Sequence, residues 1–186
     1  MDFLNSIILL TNFIIVPGIT YGSQLALGAI GVTLIYGVLR FANFAYGDLM
    51  AFGTMIVILV TWFLQSKGIT FGLLPTALLA LPVGILLTIA VSLFFDKTVF
   101  EYYRNKKSDP VTFIVVSLGI MFVLNAVVRI IIGPNDINFM DGHKFIMKAR
   151  EFKQMTGLNE GLALKSTQVI TLITTIITCS ILFYFL

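Results

Sequence analysis

The chain has 186 residues, of which 58% are hydrophobic and only 11% charged, with a mean hydropathy of +1.00. Since soluble domains carry about 25% charged residues, this composition excludes an ordinary soluble protein and indicates a polytopic membrane protein. The net charge of +3 does not point to nucleic-acid binding, because no basic patch carries interleaved aromatic residues in a polar context. One cysteine and one histidine exclude an intrachain disulfide and give no material for a Cys/His metal site.

Five apolar stretches are long enough to cross a bilayer as helices, which takes about 20 residues each. They lie at 18–40, 47–65, 72–95, 111–132 and 167–186. The runs are continuously apolar and lack the alternation typical of membrane barrel strands. The sequence therefore predicts an all-α transmembrane bundle in one domain over 1–186, with about five spanning helices and a short helix at the N-terminus.

The N-terminal segment 3–16 is apolar but too short to cross the bilayer alone. It lacks a basic region, carries Asp2, and is followed by no small-residue cleavage site, so it does not read as a secretory signal. We expect a short helix that is interfacial or partly inserted and that ends at Pro17-Gly18. A sixth, short span is the alternative.

Small residues recur along one face of the first span at spacings of three and four. They are Gly18, Gly22, Ala26, Ala29, Thr33 and Gly37. Such a face lets a neighbouring helix approach closely. The spacing therefore predicts tight helix packing rather than direct contact with a substrate.

Polar residues interrupt the apolar sequence between the first two spans, at Arg40, Asn43, Tyr46 and Asp48. In lipid, an unpaired polar group costs several kcal/mol, so such a break persists only inside protein or beside a wet cavity. One interpretation is a cytoplasmic turn in which Asp48 caps the next helix. The other is a broken helix that lines a substrate path, where freed backbone groups offer polar partners.

Basic residues in the connections indicate the orientation. Loop 96–110 carries four Lys and Arg residues, so we place it in the cytoplasm. The turn near Arg40 is then inside as well. The Lys67 turn and the long loop 133–166 are outside.

The fourth span carries Asn125 and Arg129, which share a helix face because they are four residues apart. We expect Asn125 to bond an adjacent helix. Arg129 lies near the end of its helix, where it can snorkel to the membrane interface or face a pore.

Loop 133–166 contains an amphipathic segment, with apolar residues at near-helical spacing and basic residues between them. The apolar residues are Phe145, Ala149, Phe152 and Met155. The segment predicts an interfacial helix on lipid headgroups. The alternative is a docking surface whose basic face captures an acidic soluble partner.

The last span runs to Leu186 without a polar or basic stop. Since the last carbonyls of a helix normally need capping or hydration, we expect the chain to be the N-terminal part of a longer, C-terminally truncated protein.

Enzymatic motifs are missing from the sequence. No Gly-Lys pair occurs, so the P-loop that binds ATP is absent, and HExxH, CxxC and GxSxG do not occur either. We expect no catalytic residues, no cofactor and no metal.

The segment from Tyr21 to Gly53 resembles the hallmark of the permease family of ABC importers for branched-chain amino acids. It contains the runs Tyr21-Gly22-Ser23, Ala26-Leu27, Gly31 to Arg40, and Asn43-Phe44-Ala45-Tyr46-Gly47-Asp48. Weaker similarity follows at Asp96-Lys97, Arg104, Ser117-Leu118-Gly119, Asn125 and Gly133-Pro134. Two positions depart from the family pattern: Tyr46 replaces a usual His, and Ala126 stands where Asn is common.

The resemblance implies a multi-pass subunit of the bacterial inner membrane, surrounded by lipid, that lets branched-chain amino acids cross. It also implies three kinds of partner: separate ATP-binding subunits, a second permease and a periplasmic substrate-binding protein. We expect the substrate path to pass the Asn43–Asp48 junction. The residues expected along it are Tyr36, Gly37, Asn43, Phe44, Tyr46, Gly47, Asp48 and Asn125.

Other functions stay open at this point. An importer of urea or short amides uses a similar permease. A secondary transporter or channel would work without an ATPase, but its mark is inverted-repeat symmetry, which the chain does not show. A membrane anchor or assembly subunit would show no substrate dependence.

Overall fold

The computed structural model of the protein describes residues 2–69, 74–135, 139, 141, 145–156 and 161–185. Contacts divide the chain into two units, one of residues 1–30, 73–75 and 142–186, and the other of residues 31–72 and 76–141. We call them the first and the second unit.

Helices dominate the described residues, and the prediction of an all-α membrane bundle is confirmed. The helices are α1 (Asp2–Leu10), α2 (Val16–Leu39), α3 (Ala45–Ser66), α4 (Ala77–Phe95), α5 (Glu101–Asn105), α6 (Pro110–Ile132), α7 (Ala149–Thr156) and α8 (Ser166–Phe185). Five helical stretches are long and apolar enough to cross a membrane: Asn5–Leu39, Ala45–Ser66, Ala77–Asn105, Pro110–Ile132 and Ser166–Tyr184.

The N-terminal helix does not end at Pro17-Gly18, in contrast to the sequence expectation. A π-helical turn, Thr11–Ile15, joins α1 directly to α2. The N–H of Val16 donates to the Thr11 carbonyl five residues back. Proline breaks an α-helix because it lacks an N–H and clashes with the carbonyl four residues before it. The wider π turn immediately before Pro17 changes that bonding pattern, and the helix continues.

The segment 96–110 is mostly helical rather than the loop that the sequence suggests. A second π turn, Asp96–Phe100, continues α4 into α5, and only the residues between Asn105 and Pro110 form a turn. Arg104 donates to Asp96, with a nitrogen–oxygen distance of 3.1 Å. Both side chains are about half exposed, so this pair contributes little. The buried ring of Phe100 is the stronger reason for the helical continuation.

The core of the second unit forms where α3 contacts α4 and α6. Its buried residues are Phe41, Ala45, Phe100, Ile120 and Leu124. The Phe41 ring stacks on Phe113 with centroids 5.1 Å apart and lies 5.7 Å from the Phe100 ring. Aromatic pairs at such distances contribute about 0.5–1.5 kcal/mol beyond their area burial. This cluster fixes the chain just after α2 ends.

Two glycines allow α3 and α4 to approach closely. A Cβ built on Gly53 would lie 2.6 Å from the Thr88 hydroxyl, and one built on Gly84 would overlap the Val57 side chain. The Gly84 position also lies 3.5 Å from the backbone oxygen of Gly53. Small residues at a membrane helix crossing bring the backbones together in this way.

Asp141 bonds to both the C-terminal end of α3 and the N-terminal end of α4. Its carboxylate accepts one hydrogen bond from the Ala77 backbone N–H at 2.6 Å and another from the Gln65 side-chain amide at 2.8 Å. Ala77 is the first residue of α4, and its N-cap residue, Thr76, makes no side-chain cap bond. A residue 64 positions away in sequence therefore caps α4, where a negative charge also suits the helix dipole.

Replacing Asp141 by alanine should lower the free energy of unfolding by about 1–2 kcal/mol, because an N-cap acceptor and a bond to Gln65 are both lost. The measurement is thermal unfolding of the purified protein in detergent. Asp109→Ala is the matched control, since Asp109 is the N-cap residue of α6 but makes no side-chain cap bond. Equal stability of the two variants would contradict the capping role.

The first unit contains a small two-stranded sheet whose strands precede and follow α7 in the chain. Strands β1 (Phe145–Met147) and β2 (Leu164–Lys165) pair antiparallel, with Phe145 opposite Lys165. The Asn12 amide donates to the Gly161 carbonyl at 2.7 Å and accepts from the Ala163 N–H at 3.1 Å. The predicted amphipathic helix exists as α7, although Phe145 lies in a strand and not in that helix.

Candidate functional site

The helix break between α2 and α3 is built by three short-range features. Arg40, directly after α2, adopts a left-handed conformation with φ of 60° and donates its N–H to the Tyr36 carbonyl at 2.9 Å. A helix commonly ends with one residue in this conformation, usually glycine. The Asn43 side-chain oxygen then accepts from the Ala45 N–H at 3.0 Å. Asn43 thereby takes up an N–H at the start of α3 that has no partner within the helix.

Asp48 does not cap α3, so the interpretation of a turn capped by Asp48 is wrong. The N-cap residue is Phe44, which makes no side-chain cap bond, and Asp48 lies in the first turn. Its carboxylate instead faces α6, where it accepts a hydrogen bond from the Asn125 amide at 3.0 Å. The sequence pattern predicted that Asp48 bonds to nearby backbone groups at the start of α3. Its partner, Asn125, is instead 77 residues away.

The position of the break follows from its contacts with α6. The Phe44 N–H donates to the Ser117 hydroxyl at 3.2 Å. Ser117 is the eighth residue of α6, about 10 Å from the helix start at about 1.5 Å per residue. By the same rise, Asn125 lies about 22 Å from the start. These contacts place Asp48 beside the second half of α6, which is one of the helices long and apolar enough to cross a membrane.

A cleft of about 490 Å³ opens beside the break. Its walls are Val32, Thr33, Ile35, Tyr36, Ala42, Asn43, Phe44, Tyr46 and Gly47. The structure thus gathers five residues of the predicted path: Tyr36, Asn43, Phe44, Tyr46 and Gly47. Gly37, Asp48 and Asn125 do not line this cleft. The walls are mainly apolar, with three side-chain hydroxyls and one amide, and carry no charged side chain.

Asn125 connects Asp48 to Arg129. The Asn125 amide nitrogen donates to Asp48, and its oxygen accepts from Arg129 Nε at 2.8 Å. Asn125 and Arg129 are exposed, and Asp48 is half-buried. The expectation that Asn125 bonds an adjacent helix is confirmed. Arg129 Nε donates to Asn125, one turn back along α6, and both interpretations of Arg129, at the interface or facing a pore, stay predictions.

Gly31 is a site residue that the sequence reasoning did not single out. A Cβ built on Gly31 would overlap the hydroxyl of Tyr46 and lie 2.7 Å from the ring carbon that bears it. The Tyr46 ring therefore rests directly on the α2 backbone, in the wall of the cleft. The sequence signal that could have identified Gly31 was its place in the family hallmark. The predicted packing face included Ala29 and Thr33 but not Gly31.

Three glycines of the predicted small-residue face of α2 have no close neighbour among the described residues. A Cβ added at Gly18, Gly22 or Gly37 would meet no described atom within 4 Å, and no residue of α2 is buried. Its packing role stays a prediction. Among the described residues, no group of three or more His, Cys, Asp or Glu side chains could hold a metal ion.

Comparison with known proteins gives a consistent set of matches. Residues 14–186 match the family "Branched-chain amino acid transport system / permease component". The high-affinity branched-chain amino acid transport system permease protein LivH of Escherichia coli K12 is 30% identical over 121 residues, which cover 64% of this chain and 38% of LivH. The corresponding protein BraD of Pseudomonas aeruginosa is 38% identical over 55 residues, 30% of this chain and 18% of BraD.

No solved structure gives a significant match. The matched region spans well under two thirds of the length of the curated relatives. The family match, in contrast, extends over nearly the whole chain and includes both the helix break and the Asp48–Asn125 contact. The chain therefore belongs to the family of branched-chain amino acid transport system permease components.

Proposed function

We propose that this chain forms part of the transmembrane permease of an ABC importer that moves branched-chain amino acids across the inner membrane, driven by ATP that separate subunits hydrolyse. The observation that carries the proposal is the break between α2 and α3, beside which a mainly apolar cleft opens in a member of this family. Within a membrane, irregular backbone is tolerated where it lines a cavity.

The location of the protein follows from its helices and its family. Five stretches are apolar enough to span, and the chain is a multi-pass protein of the bacterial inner membrane. Many large aliphatic side chains of α4 and α8, such as Leu86, Leu93 and Ile176, are exposed. That exposure suits contact with lipid tails.

The cleft suits a small hydrophobic amino acid. Its volume of about 490 Å³ falls within the range of about 300–1,000 Å³ that is typical of ligand sites. Val32, Ile35 and Phe44 offer apolar contact for a branched side chain. Asn43 and Tyr46 add a few polar groups that can orient it, as specific pockets usually do.

Partners complete the proposed importer. The sequence has no P-loop, so ATP would be bound by separate subunits. A second permease would close the path, and a periplasmic substrate-binding protein would deliver the amino acid. The basic, amphipathic helix α7 (Ala149–Thr156), on the side expected to be outside, is available to lipid headgroups or to that protein.

Uptake by the complete permease tests the proposal. We would express the full permease with its partner subunits in bacteria that lack leucine uptake and measure labelled leucine and labelled urea separately. We expect leucine uptake that valine and isoleucine inhibit and that disappears when the ATP-binding subunits are deleted. Uptake of urea or acetamide without leucine would favour an amide importer. Leucine uptake without the ATP-binding subunits would favour a secondary transporter.

A further inference from the structure

One face of the second unit carries two opposite charges separated by a single amide. The Asn125 side chain lies between them, since it donates to Asp48 Oδ1 at 3.0 Å and accepts from Arg129 Nε at 2.8 Å. Both bonds orient the amide, and the amide in turn holds the carboxylate and the guanidinium at fixed places. Asp48 directly follows Gly47, a residue of the cleft wall.

The two charges do not neutralise each other by direct contact. No Asp48 oxygen lies within 4.0 Å of an Arg129 nitrogen, whereas Asp96 and Arg104 do form such a pair. Arg129 is exposed and Asp48 is half-buried, so both charged groups are open to a ligand. The inserted amide leaves part of each charged group unpaired.

The unpaired groups are specific atoms. Asp48 Oδ2 accepts no hydrogen bond, and the two terminal nitrogens of Arg129 donate none, to any residue that the structure describes. Asp48 and Arg129 lie in helices that are long and apolar enough to span a membrane, where ionised side chains are costly. Such residues characteristically mark the path of a substrate or an ion.

We propose that this face binds the two charged ends of a zwitterionic α-amino acid, with its ammonium group on Asp48 and its carboxylate on Arg129. The inference rests on the proposed function and names the chemical class of the substrate at this point of the path. The planar guanidinium can hold a carboxylate with two parallel hydrogen bonds. Asn125 is a positioning residue that keeps the two charges apart. A neutral amide such as urea offers no group of matching charge.

Binding of three related ligands tests the inference without relying on a variant. The complete transporter, in lipid nanodiscs and without substrate-binding protein, is titrated with L-leucine, leucinamide and 4-methylpentanoate. Leucinamide lacks the carboxylate, and 4-methylpentanoate lacks the ammonium group. We expect each analogue to bind about tenfold or more weakly than leucine, since a charge-assisted hydrogen bond is lost in each case. Equal binding of all three would overturn the inference.

Substitutions assign each end of the ligand. Arg129→Gln should weaken leucine about tenfold and leave leucinamide unchanged, while Asp48→Asn should weaken leucine and leave 4-methylpentanoate unchanged. Arg129→Lys should retain part of the preference for leucine over leucinamide. Arg104→Gln, in an exposed ion pair outside this face, is the control. Size-exclusion profiles show which variants assemble. If Arg129→Gln does not assemble, the comparison of the three ligands on the wild type still tests the inference.

Two results separate this inference from the proposed function. If the wild type imports leucine but Arg129→Gln and Asp48→Asn weaken all three ligands equally, the residues are structural and only this inference fails. If the wild type imports urea or acetamide and does not bind leucine, the proposed function and this inference fail together.

Discussion

Replacing Asp48 by alanine should lower leucine uptake by the complete permease about tenfold or more, while the protein still inserts into the membrane. The substitution removes the acceptor of the Asn125 amide and leaves the charge of Arg129 without its balancing carboxylate. A hydrogen bond to a charged group contributes about 1.5–3 kcal/mol, and 1.4 kcal/mol corresponds to about tenfold in a rate. Initial rates of labelled leucine uptake, normalised to the amount of membrane-inserted permease, provide the measurement.

Asn43→Ala should reduce uptake less than Asp48→Ala. It removes the side-chain acceptor of the Ala45 N–H, which is worth about 1 kcal/mol at a helix start, but it leaves all charges in place. Asp109→Ala is a control in which an exposed carboxylate without a cap bond is lost. Wild-type uptake in both Asn43→Ala and Asp48→Ala would remove the helix break from the substrate path.

Gly84→Leu should be the most destabilising single change in the α3–α4 contact. Even a Cβ at this position would overlap Val57, and the backbone oxygen of Gly53 lies 3.5 Å from it. Val57 can change its rotamer, but the α3 backbone behind it cannot yield in the same way. Overpacking of this kind typically costs about 1–3 kcal/mol, and the four heavy atoms of leucine place the expected loss at the upper end. Thermal unfolding in detergent measures the effect.

Gly119→Leu is the matched control, because a Cβ at Gly119 in α6 would meet no described atom within 4 Å. It should leave the melting temperature close to that of the wild type. Adding Val57→Ala to Gly84→Leu should restore part of the lost stability, since it removes the first obstacle. If the Gly84→Leu and Gly119→Leu variants have the same melting temperature, α3 and α4 do not approach as closely as the structure indicates.

The fold class could be predicted because hydropathy along a membrane helix is a local property. Runs such as 111–132 are mostly apolar, and α6 begins and ends within one residue of that range. The ends of other elements were harder. Pro17 reads as a helix stop, but the π turn before it is a cooperative backbone arrangement that no single residue specifies. Segment 96–105 reads as a charged loop, and its helical state depends in part on the burial of Phe100 in a distant core.

The candidate site could be predicted in part for the same reason. The polar residues between Arg40 and Asp48 stand out against an apolar background, so the break was identifiable from composition alone. Part of the cleft lining could be predicted from the sequence, because Tyr36 and Asn43 lie within one short segment. The partner of Asp48 was not visible in this way, because the Asn125 contact depends on how α3 packs against α6.

The sequence by itself determined that this protein lies in a membrane, that its helices are interrupted near Asn43, and which family it resembles. These conclusions depend on hydropathy and on an ordered motif, which neighbouring residues carry without reference to the fold. Only the tertiary structure decided that Asp48 accepts a hydrogen bond from Asn125, that Asp141 caps α4, and that Gly31 supports Tyr46. Each of these contacts joins residues on different elements, and the packing of helices, which local hydropathy does not specify, brings them together.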